Sequence, residues 1–115
     1  MEANQFVRKF GWDKSIEIAD GYKNAFHSSF HYWSTVHNDY YLVERAYTVD
    51  VHDLKRLVES HELVEKNQGL NGAKNTLKLL QSSLDIGLYH GISGIDAETE
   101  IPKLKKAIAD VESCQ

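Results

Sequence analysis

The sequence predicts an α+β domain, a small antiparallel β-hairpin or three-stranded sheet packed against a helical hairpin and a C-terminal helix. Three observations predict it. Eight of the 12 aromatic residues crowd between Tyr22 and Tyr47, a composition that favours strands. Two apolar stripes at helical spacing meet at Gly69, and a third follows Pro102. At 115 residues, a second independent core would leave each half near the size where burial barely offsets chain entropy, so residues 1–115 read as one domain.

From the N-terminus, Phe6, Val7 and Phe10 recur at helical spacing before Gly11, a residue able to take the left-handed conformation at a helix end. Asp13 then caps a second helix through Ala19, with Trp12, Ile16 and Ala19 on one side, until Asp20 and Gly21 supply a turn. The opening segment is a bent helical pair.

In the aromatic middle, period two places Phe26, Ser28, Phe30, Tyr32, Ser34 and Val36 on one face of a strand and His27, Ser29, His31, Trp33, Thr35 and His37 on the other. The first face is the better core candidate. "HND", His37 to Asp39, reads as a hairpin turn, and "YYLVERAYTV" returns as the partner strand with Tyr41, Val43, Tyr47 and Val49 on one face.

At Asp50, a candidate N-cap, the period becomes helical: Val51, Leu54, Leu57, Val58, His61 and Val64 form one stripe before Gly69. Leu70, Ala73, Leu77, Leu80 and Leu84 form the facing stripe of the hairpin. "DIGLYHGISGIDAETE" carries three of the seven glycines and no sustained period, so it reads as a loop. Pro102 then opens a last helix buried through Leu104, Ile108 and Val111.

Composition narrows function. Apolar residues are 42% and charged residues 26%, the balance of a chain that folds unaided. The net charge of −4, without a basic block, argues against a nucleic-acid partner. No apolar run nears the ~18 residues a membrane helix needs, and "MEANQFVRKFGW" lacks the apolar core of a signal peptide. The single cysteine, Cys114, cannot pair within the chain, which favours a reducing, cytoplasmic setting. It reads as exposed and dispensable beside the terminus.

The main chemical lead is "FHSSFHYWSTVH", which holds His27, His31 and His37. Histidines four apart chelate one metal when they lie on adjacent turns of a helix, but on a strand that spacing is roughly 13 Å. The glutamate of a helical HExxH motif is also missing, since Ser28 follows His27. The preferred reading is therefore a solvated or partner-facing sheet surface, with a metal-binding module or metal-dependent enzyme on His27, His31 and His37 as the alternative. There is no GxSxG elbow, Walker A loop, GxGxxG after a strand or CxxC pair. No catalytic constellation assembles, so neither an enzyme nor a cofactor is predicted. Trp33, Tyr40 and Tyr41, with His31, are the candidate contact surface, because large aromatics dominate interface energetics; the alternative for Trp33 is that a helix of the same chain covers it.

The run "VDVHDLKRLVESHELVEKNQGLNGAKNTLKLL", Val49 to Leu80, with "QFVRKFGWDKSIEIADG" and the terminal "LKKAIADVESCQ", resembles modules of small phage and prophage-encoded proteins that pair a helical "DLKRLVES" unit with a variable aromatic middle. These runs cover a little over half of the chain. The resemblance carries no catalytic residues. It implies an accessory or anti-defence factor, anti-CRISPR-like, that occupies a host or defence-system protein in the host cytoplasm. An open sheet edge also allows a homodimer.

Overall fold

The computed structural model describes residues 1–23, 30–85 and 97–115. These residues form four helices and one three-stranded antiparallel sheet, so the α+β class holds. They divide into two compact units, Met1–Glu59 with Ser113–Gln115, and Ser60–Glu112.

The first unit opens with α1, Ala3–Lys23, which is bent at Gly11 (φ 87°, ψ 169°). A positive φ of this size is open to glycine at little steric cost, and it divides the helix into the bent pair that the sequence predicts. Ser15 Oγ donates to the Gly11 carbonyl at 2.8 Å, giving the interrupted ladder an acceptor contact across the bend. Ala3, Phe6 and Val7 are buried before the bend, and Ser15, Ile18 and Ala19 after it. Phe10 is 40% exposed. The turn expected at Asp20 and Gly21 is absent, because α1 continues through them to Lys23.

The sheet comprises β1 (Tyr32–Ser34), β2 (Asp39–Tyr41) and β3 (Thr48–Asp50) in the order β2-β1-β3. The segment read as one returning strand is therefore two short strands on opposite sides of β1. Trp33 faces Tyr40 on one side and Val49 on the other. Directly opposed residues share a sheet face, so Trp33, Tyr40 and Val49 line one face while Tyr32, Ser34, Tyr41 and Thr48 line the other. Trp33 and Val49 join Ala3, Phe6, Val7, Ile18, Val51, Leu54, Leu57 and Cys114 in one buried cluster.

This inverts the expected faces. In a strand of three residues, alternation has too few points to decide the buried side, and the largest apolar surface, the Trp33 indole, goes inward. Ser34 and Thr48, on the opposite face, are buried by their own connections. Ser34 Oγ meets His37 Nδ1 at 2.9 Å, and Thr48 Oγ1 accepts from the Arg45 amide at 2.8 Å.

Helix α2, Val51–Lys66, begins under the predicted cap: Asp50 Oδ1 accepts from the amides of His52 at 2.8 Å and Asp53 at 3.4 Å. Two N–H groups that lack partners within the helix are satisfied in this way. Cys114 is 7% exposed within the first unit's cluster, contrary to its expected place on the surface. The two residues before the chain's last one form a turn that brings the thiol inward.

In the second unit the chain reverses at Asn67–Gln68, where Gln68 and Gly69 take φ of 68° and 84°, and α3 runs Gly69–Asp85. Ala73 is buried, and Leu70, Leu77 and Leu80 are half-buried. Helix α4, Ala97–Glu112, packs along α3 with Leu104, Ala107, Ile108 and Val111 buried. It starts before the predicted Pro102, which lies inside it. So close to the start, proline's missing N–H removes a single backbone bond. Ser60 Oγ donates to Asp110 Oδ2 at 2.7 Å, tying the end of α2 to α4. The side chain of Leu84, and Gly87 to Gly94 of the predicted loop, lie outside the described residues.

Candidate functional site

The residues proposed as a contact surface divide between core and surface. Trp33, 9% exposed, is core. Its ring meets Tyr40 edge-on at 5.1 Å, and Lys14 Nζ lies 5.3 Å from its centroid. An interface anchor has to be reachable, so Trp33 is a scaffold residue.

Tyr40 is half-buried and donates its hydroxyl to the Ile18 carbonyl at 2.6 Å, holding β2 to α1. Burial, reinforced by the carboxylates of Asp39 and Glu17, raises its hydroxyl above the ordinary value of 10.0. Tyr41 points to the other face and stacks on His37, with centroids 5.3 Å apart and planes 10° from parallel. Tyr47 closes this small aromatic cluster, donating to Tyr41 Oη at 3.4 Å, and that bond is the main reason its own hydroxyl is raised.

The hairpin turn is built from polar side chains. Asn38 takes φ 51°, a left-handed conformation that asparagine tolerates, and its amide donates to the Ser34 carbonyl at 2.9 Å. The His37 amide donates to Ser34 Oγ at 3.0 Å. These bonds fix the tip that carries Val36, 65% exposed.

Beyond β2, Leu42 (55% exposed) and Val43 (40%) lie in a bend with their side chains in solvent. Together with Phe30, His37, Asp39, Tyr40 and Tyr41 they line a shallow groove of about 490 Å³. The sequence placed Val43 on a regular strand, put Val36 on the face expected to be core, where it is instead 65% exposed, and passed over Leu42. The signal available was the pair Leu42–Val43 directly after an aromatic strand.

Of the three histidines of the metal alternative, His31 and His37 have separate partners. His27 lies outside the described residues. His37 is bound to Ser34, whereas His31, exposed ahead of β1, meets Tyr22 and His52: its Nδ1 is 3.1 Å from Tyr22 Oη and 3.0 Å from His52 Nε2. Among the described residues, no three His, Cys, Asp or Glu side chains are placed to hold a metal.

A second, polar cleft of about 660 Å³ includes Glu2, Glu44, Asp50, Asp53 and Arg56 in its lining. Arg56 pairs with Asp53 at 3.8 Å, a surface ion pair one helical turn apart.

Among the described residues, no helix is long and apolar enough to cross a membrane. No protein-family model, no curated protein and no solved structure matches the chain.

Proposed function

We propose that the chain is a phage-encoded accessory protein that acts by binding another protein, an anti-CRISPR-like inhibitor of a host or defence factor working in the host cytoplasm. Its contact surface is the groove of the β1–β2 hairpin. The observation that carries this reading is the exposed apolar side chains of Val36, Leu42 and Val43 around the turn and the outer edge of β2. Apolar groups next to strand backbone that has no ladder partner among the described residues suit a protein segment, which supplies both apolar contact and main-chain hydrogen bonds. The resemblance of three sequence runs to phage-encoded modules supports the origin.

The test is affinity capture from a bacterial host lysate with the wild-type chain and with a Leu42→Asp/Val43→Asp variant. The reading predicts a stoichiometric host protein on the wild type, its loss from the variant, and an unchanged melting temperature. If the variant retains the same protein, the groove is not the contact surface.

A further inference from the structure

We propose that Tyr22, His31 and His52 form a three-donor site for a divalent transition-metal ion of the zinc class. Tyr22 Oη, His31 Nδ1 and His52 Nε2 outline a triangle with edges of 3.0, 3.1 and 3.5 Å. A tetrahedral zinc ion with bonds of about 2.0–2.1 Å holds its ligands about 3.3 Å apart. The corners of the observed triangle lie about 1.9 Å from a common centre, so an ion roughly 0.9 Å above its plane reaches all three donors at zinc bond lengths.

A neutral imidazole nitrogen either donates one proton or accepts at one in-plane lone pair. The two ring nitrogens and the phenol oxygen can each present a lone pair to a cation placed between them.

The scaffold holds the donors from three elements. Tyr22 stands in the last turn of α1, His31 directly before β1 and His52 in the first turn of α2. The Val51 amide donates to the His31 carbonyl at 2.8 Å, which joins the two histidine backbones, and the Asp50 cap fixes the backbone of His52. Tyr22 meets the His52 ring edge-on, with centroids 5.4 Å apart. Donors fixed by separate rigid elements bind with little loss of side-chain freedom. The carboxylate of Asp50, two residues before His52 in sequence, is engaged by backbone amides.

On binding, each histidine presents the named nitrogen as a lone pair and carries its proton on the other. The phenol releases its proton to solvent as its oxygen joins the ion. The three donors leave a fourth tetrahedral position for water or a further ligand, and His31 and His52 are both exposed. A search confined to His, Cys, Asp and Glu passes over this site, because its third donor is a phenol. The site is independent of the hairpin groove, and its test does not depend on a partner.

The experiment is titration of tag-free full chain with Zn²⁺ by calorimetry and with Co²⁺ by visible absorption. One ion per chain is expected, with the visible bands of tetrahedral cobalt. His31→Ala and His52→Ala should each weaken binding by roughly tenfold or more, and Tyr22→Phe should weaken it and alter the cobalt bands. His37→Ala and His61→Ala should leave it unchanged. His31→Gln and His52→Gln serve if either alanine variant fails to fold, and apo melting curves that match the wild type establish that ligands alone were lost. The proposal is overturned by binding below one equivalent, by binding that survives in the His31 and His52 variants, or by a Tyr22→Phe variant whose affinity and spectrum equal those of the wild type.

Discussion

Gly21 sits where the Tyr40 hydroxyl needs room: a side-chain carbon built there lies 2.6 Å from Tyr40 Oη and 3.7 Å from Cζ. Gly21→Ala should therefore cost roughly 1 to 3 kcal/mol. In a Tyr40→Phe background the hydroxyl is gone and the helix gains from alanine, so the same substitution should be neutral or favourable by about 0.5–1 kcal/mol. Urea unfolding of the four chains checks this, and additive effects would contradict the contact. Tyr40 also sets a pH dependence. Its hydroxyl is raised above 10.0, chiefly by burial and then by Asp39 and Glu17. The protonated form therefore stabilises the fold in full below pH 10, and that contribution is lost as pH rises from there through the folded value. Above pH 10, wild-type stability should fall more steeply with pH than that of Tyr40→Phe, as followed by urea unfolding. Cys114 belongs to the buried cluster, so Cys114→Ser should cost about 1–3 kcal/mol through an added buried hydroxyl. The thiol should also resist modification until the protein unfolds. Its burial was not legible in the sequence, because position beside the last residue says nothing about which way the final turn folds.

Among the elements, the helices were legible, and the strands were legible in their place and antiparallel pairing but not in their length or buried face. The stripe from Val51 to Val64, the Asp50 cap, the corner at Gly69 and the bend at Gly11 each rest on a local rule whose result survives in the fold. Strands of three residues carry too little pattern for that. Their burial depends on what α1 and α2 lay over them, which only the tertiary structure supplies. Trp33 is the clearest instance, a residue placed on the outer face by counting and drawn inward by its own area. Trp33→Ala should lower stability by roughly 3–5 kcal/mol as judged from thermal melts, whereas an interface residue would leave the melting temperature in place. At the helix start, Asp50→Ala removes an acceptor shared by two amides and should cost about 0.5–2 kcal/mol. Asp50→Asn should recover most of that loss, and failure of this rescue would argue against capping as the cause.

For the whole molecule, the aromatic middle serves two purposes from opposite faces of one sheet. Trp33 and Tyr40 secure β1 and β2 to α1, while His37, Tyr41, Leu42 and Val43 shape the groove on the hairpin. The candidate site was half legible in the sequence. Aromatic density marked the right segment, but its face, and the exposed Leu42 and Val43, followed only from the strand register. Tyr22 and His52 stand 30 residues apart, so sequence spacing could not bring them to His31. We propose that the hairpin groove is the surface at which this chain binds a protein partner. Hydrogen exchange on the purified complex tests it most directly. The amides of Asp39 to Val43 are expected to gain protection on binding while those of α3 keep their free rates. Unchanged exchange across Asp39 to Val43, with protection elsewhere, would contradict it.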